Sequence, residues 1–115
     1  MKPNLPDNLK PQVLSCIKRH TSGNDRITKS GIARACGLRY TSTTDRQIRD
    51  AVAELRKEGE PLCSDSGKAG YYYSLEDRYH TIAELRSRGT ELLETARALE
   101  RGPRDTVQMG LALWG

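Results

Sequence analysis

Between Thr43 and Lys57 the chain places two hydroxyls next to each other (Thr43, Thr44), an amide (Gln47), a carboxylate (Asp50) and the cations Arg46, Arg49 and Lys57. Together such groups suit hydrogen bonding and ion pairing with a partner. The forked guanidinium of Arg46 matches two adjacent acceptors, as on the N7/O6 edge of guanine. Gln47 matches the donor–acceptor pair of adenine, although its spacing from Thr44 also suits helix capping. Asp50 can accept from a cytosine amine or orient Arg46. Thr43 and Thr44 can donate to phosphates, and Arg49 and Lys57 can pair with them. Arg39 before this run and Lys68 after it are further cations within reach of a backbone. The plainer alternative is that Arg46 and Asp50, four apart, form a surface ion pair worth a few tenths of a kcal/mol.

Other chemistries find little support. No Ser-His-Asp grouping, phosphate loop or paired carboxylates can be assembled, so no enzyme and no cofactor are expected. Cys16, Cys36 and Cys63 are odd in number and far apart in sequence, with neither His20 nor His80 at ligand spacing. They read as small reduced core residues, and no metal is expected. Charged His20 would favour the C-terminal dipole of a first helix.

The elements that position Arg46 and its neighbours can be read from periodicity. Met1 to Leu9 is expected to be a flexible arm. Pro11 suits a first helical turn, followed by the stripe Val13, Leu14, Ile17 and a stop at Gly23. Ile27 is a strand of one or two residues. Thr28 caps a second helix that buries Ile32, Ala33 and Cys36 and closes at Gly37. A polar loop, Arg39 to Thr43, adds about four residues to a minimal turn. Thr44 and Gln47 then start the third helix as a capping box. Its buried stripe is Ile48, Ala51, Val52 and Leu55, which turns Thr43, Arg46, Asp50, Ala53 and Lys57 outward. Gly59 stops it. A hairpin follows from about Pro61 to Ser74, with Ser66 to Gly70 at its tip. Tyr71 and Tyr73 share one face and Tyr72 takes the other, with at least one ring in the core.

Helix, turn, helix and hairpin in this order resemble the winged helix-turn-helix superfamily, and more loosely the small winged-helix proteins of bacteria and their phages. The resemblance spans residues 10–75. It implies an α+β, mostly helical fold that lays the third helix in the major groove of double-stranded DNA, with Lys68 on the wing near the minor groove or backbone. Residues 1–75 hold 13 Lys/Arg against 8 Asp/Glu, whereas residues 76–115 hold 6 against 7. The basic surplus thus lies in the part expected to meet phosphate.

Residues 76–101 read as a long C-terminal helix. Ile82, Leu85, Gly89, Leu92, Ala96 and Leu99 recur at alternating spacings of three and four, a heptad seam. The helix either pairs with its copy in a homodimer or folds back on the first helix. Gly89 weakens it by about 1 kcal/mol relative to Ala, and one helix is expected through that point.

Residues 102–115 form a tail after a Gly102-Pro103 break. Its Gln108-Met109-Gly110-Leu111-Ala112-Leu113-Trp114 resembles the short peptide by which bacterial replication and repair proteins hold the sliding clamp. That likeness implies a polar pocket for Gln108 and a hydrophobic cleft for Leu111, Leu113 and Trp114. Alternatively these residues pack on the protein itself. No apolar run is long enough for a bilayer and Met1 to Leu9 lacks a signal-peptide core, so a cytoplasmic protein is expected.

Three functional expectations follow. The leading one is a dimeric transcriptional regulator without enzymatic activity. The alternative is a phage- or mobile-element-type replication or repair accessory protein, tethered to the clamp by its tail. A third is a winged helix that binds protein through the same surface, suggested by Asp45, Asp50 and Glu54 on the third helix.

Overall fold

A computed structural model describes residues 6–103. The tail positions Gln108, Leu111, Leu113 and Trp114 lie outside those residues, as does most of the expected arm. The fold is α+β and mostly helical, with four helices and one two-stranded antiparallel sheet among the described residues. The chain divides into two units, Met1–Thr81 and Ile82–Gly115.

Helix α1 (Leu9–Lys18) begins inside the stretch expected to be an arm. Leu9 is buried with Val13, Cys16 and Ile17, because the spacing of four, seven and eight places all of them on one helical face. The apolar side chain at residue 9 therefore corrects the arm boundary. The helix ends at Lys18, not at Gly23. Residues 20–26 make a tight loop closed by Asp25 N–H to the Ser22 carbonyl (2.9 Å), and His20 Nδ1 lies 2.9 Å from the Asp25 carboxylate.

Helix α2 (Lys29–Ala35) is capped as its sequence implies, with Thr28 Oγ1 accepting from Gly31 N–H at 3.1 Å. Helix α3 (Ser42–Lys57) packs on α1 and α2 through Ile48, Ala51, Val52 and Leu55, all at most 2% exposed. Burying a Val, Leu or Ile side chain contributes about 1.5–3 kcal/mol each, so this stripe is a principal element of the core.

Strands β1 (Leu62–Asp65) and β2 (Lys68–Tyr73) pair Leu62 with Tyr73, Cys63 with Tyr72 and Asp65 with Lys68. Only Ser66 and Gly67 link them, so Lys68, Ala69 and Gly70 belong to the strand and not to the tip expected there. Asp65 Oδ1 accepts from Gly67 N–H across that turn (2.9 Å). On the far edge of β2, Ile27 and Tyr71 exchange two backbone hydrogen bonds of 2.9 and 2.8 Å. The strand of one or two residues expected at Ile27 is thus present as a single-residue bridge.

The tyrosines alternate as strand geometry requires. Tyr71 and Tyr73 pack against the helical core, and Tyr72 is buried on the opposite face. There its hydroxyl donates to Asp77 at 3.1 Å and Arg26 lies over its ring at 5.1 Å.

The outer edge of β1 would otherwise present free backbone groups. Arg56 Nε donates to the Leu62 carbonyl at 2.8 Å. Thr81 Oγ1 accepts from Ser64 N–H (3.1 Å) and donates to the Ser64 carbonyl (3.0 Å). Thr81 stands in the first turn of helix α4 (Arg78–Arg101), which runs unbroken through Gly89.

All three cysteines are free thiols; Cys16 and Cys63 are buried and Cys36 is half-buried. Burial, reinforced by neighbouring Cys16, pushes the Cys36 thiol up to about 11. No helix among the described residues is long and apolar enough to cross a membrane.

Gly70 has φ +106°, and a Cβ built there would stand 2.9 Å from Arg26 Cβ and 3.2 Å from the Ile27 carbonyl oxygen. Gly70→Ala should therefore lower unfolding free energy by about 1–3 kcal/mol. The urea midpoint should drop with an unchanged slope; an unaltered midpoint would show that the Ile27–Tyr71 bridge does not require glycine.

Candidate nucleic-acid interface

The α2–α3 connection decides which side chains stand free. Gly37 (φ +71°) ends α2 with Leu38 N–H bonded to the Ala33 carbonyl at 2.8 Å, a glycine-terminated helix end. The chain then reaches Thr41, whose Oγ1 accepts from Thr44 N–H at 3.2 Å. Thr41 is the N-cap of α3, so the helix starts two residues before Thr44.

This corrects the capping-box expectation and turns Thr44 away from the solvent-facing role expected of it. Thr44 is 8% exposed, and its hydroxyl donates to the Arg39 carbonyl at 2.7 Å. The reason lies in the stripe: Thr44 stands four before Ile48 and seven before Ala51, on the buried face. Thr41, Ser42, Thr43 and Thr44 all offer a capping oxygen, and packing selects among them. Gln47 is half-buried and does not cap α3, whose N-cap is Thr41.

Thr43, Arg46, Arg49, Ala53 and Lys57 are exposed on α3, and Asp50 is half-buried among them. The structure thus brings most of the sequence-derived residues onto one helix surface. The Arg46–Asp50 ion pair does not form. Among the described residues the Arg46 guanidinium has no hydrogen-bond or ion-pair partner. The pair that forms is one residue earlier, with Arg49 Nε donating to Asp45 Oδ2 at 3.0 Å.

Asp45 is a junction that the sequence reading missed as such. Besides Arg49 it accepts from the Tyr40 hydroxyl (2.6 Å) and pairs with Lys29 Nζ (2.9 Å). It joins the first turn of α2, the connecting loop and the first turn of α3. The Tyr40 and Lys29 hydrogen bonds chiefly hold the Asp45 carboxyl at about 2, with Arg49 adding to them. The same contacts push the Lys29 ammonium and the Tyr40 phenol up. The signal for this junction was Lys29 directly after a cap, with an acidic residue in the first turn of α3.

Beside it lies an open cleft of about 360 Å³. Lys29, Ser30 and Tyr40 line it together with Asp65, Lys68 and Tyr71 of the hairpin. Lys68 is exposed, and its Nζ lies 3.4 Å from the Gly23 carbonyl. Arg39 is exposed in the connecting loop. The cleft therefore adds Lys29 to the cations singled out from sequence.

The hairpin is held beside the loop by Arg26, another residue the sequence reading passed over. Its Nε donates to the Gly23 carbonyl (2.7 Å), Nη1 to the Lys68 carbonyl (3.1 Å) and Nη2 to Asp65 Oδ2 (2.7 Å). The Arg26 side chain is 9% exposed.

No protein-family model, curated protein sequence or solved structure matches the chain.

Asp45→Asn tests the junction through pH. The folded carboxyl titrates at about 2 against an ordinary 3.8. Its stabilisation is complete above about pH 4 and disappears as pH falls toward 2, because the unfolded chain takes up the proton first. The variant should melt lower than the native chain at pH 7, and the gap should close by pH 2. A gap independent of pH would show that charge at Asp45 does not hold the loop.

Proposed function

We propose that residues 10–75 form a winged helix-turn-helix module that binds double-stranded DNA, and that the chain acts as a dimeric, non-enzymatic transcriptional regulator. In this reading α3 enters the major groove, Arg46 meets a base edge, and the β1–β2 hairpin is the wing. The observation that carries it is the outward face of α3: Arg46 is exposed and, among the described residues, unpartnered, while the opposite stripe is sealed in the core. The order α1, α2, α3, hairpin supports it, as does Ile27 pairing on the open edge of β2. Arg49 and Lys57 flank Arg46 as phosphate ligands. Lys29, paired with Asp45, and Lys68 line one cleft together with Asp65, and in this reading the two ammonium groups meet one passing strand of the backbone.

The test is fluorescence anisotropy on a selected duplex and on random duplex across a salt series. Arg46→Ala should lose about 1–3 kcal/mol of preference for the selected site. Lys57→Ala should weaken both duplexes alike and reduce the salt slope by about one. Equal losses on both duplexes for both variants would sink the assignment of base reading to Arg46.

The Gln108–Trp114 segment favours a second reading, in which the tail of a replication or repair accessory protein docks on a sliding clamp. Purified clamp should retain the full chain and release a version ending at Thr106. Retention of neither, or of both, removes that reading.

A further inference from the structure

Among the described residues, the apolar seam on residues 82–101 of α4 is largely exposed. Leu85, Leu92, Leu93 and Leu99 are 40%, 71%, 59% and 79% exposed. Two members of the seam are small, Gly89 and Ala96, seven residues apart. Among the described residues, a Cβ built at Gly89 would meet no atom within 4 Å. Alanine would fit there and strengthen the helix. A glycine at this seam position leaves room for a side chain of a facing helix to approach closely.

We propose that α4 pairs antiparallel with α4 of a second copy, in the register that sets Gly89 against Leu92 of that copy. This rests on the dimer reading above and adds its direction and register. That register also places Ile82 opposite Leu99 and Leu85 opposite Ala96, each pair occurring twice about the two-fold axis. Each small residue then receives a leucine, so all six layers of the seam are filled. In a parallel pair Gly89 would face Gly89 and Ala96 would face Ala96. Leucines would then crowd some layers while others held voids, a loss of packing contacts. The flanks of the antiparallel register bring no like charges together. Arg88 meets Thr95 of the second copy, and the stem of Arg86 lies along its Leu93. Opposed helix dipoles favour the same direction.

The experiment uses the full chain. Sedimentation equilibrium reads the mass, and an isotope-filtered NOE spectrum of a mixed dimer, one copy labelled with carbon-13, reads the register. The expected result is a dimer with intermolecular NOEs from Ile82 methyls to Leu99 methyls and from Leu85 methyls to the Ala96 methyl. Ile82 and Leu99 lie about 25 Å apart along one helix, so neither a single chain nor a parallel pair can produce that contact. A dimer lacking it, with Leu85-to-Leu85 contacts instead, overturns the antiparallel register and leaves the dimer standing. A monomer at millimolar concentration overturns both, whether or not the chain's own tail covers the seam. Leu92→Asp sets a carboxylate against Gly89 in both central layers and should weaken dimerisation at least tenfold with α4 still helical by circular dichroism. An unchanged dissociation constant would remove α4 from the interface.

Discussion

The burial of one stripe on α3 is the constraint on which the other features depend. Ile48, Ala51, Val52 and Leu55 are almost wholly removed from water against α1 and α2. A helix has a fixed pitch, so sealing one face determines what the opposite face presents. Arg46 and Lys57 stand in solvent because Ile48 and Leu55 do not. The same constraint takes Thr44 inward, where its hydroxyl must find the Arg39 carbonyl, since a buried hydroxyl without a partner is costly.

Two polar junctions then set the surroundings of that face. Asp45 gathers Tyr40, Lys29 and Arg49, which orders the loop between α2 and α3. The loop is longer than a minimal turn, and those three contacts replace the rigidity a short turn would supply. Arg26 does the same for the hairpin. Its planar fork reaches three acceptors while its face covers Tyr72, a geometry that lysine does not offer. Both junctions are charge-assisted, and both join segments distant in sequence or separated by a loop.

The legible parts of the molecule are those governed by local periodicity. The α3 stripe, the Thr28 cap, the Gly37 stop, the Ile27 strand and the alternation of the three tyrosines follow from spacings of a few residues. The start of α3 did not, because four consecutive hydroxyl residues offer equivalent caps and only packing chooses Thr41. The start of α1 was misplaced because Leu9 follows a proline- and asparagine-rich run and looks like part of it. Arg26 and Asp45 were overlooked for a different reason. The partners Asp65 and Lys68 of Arg26, and Lys29 among the partners of Asp45, come within reach only after the elements have packed.

The chain's residue order by itself determined the order of helices and strands and which side of α3 faces water, because both depend on repeats shorter than one or two helical turns. Tertiary structure decided which threonine caps, which charges pair and which stand free. Those outcomes depend on distances between segments, such as the 2.7 Å from Arg26 to Asp65, and an unfolded sequence contains no such distances.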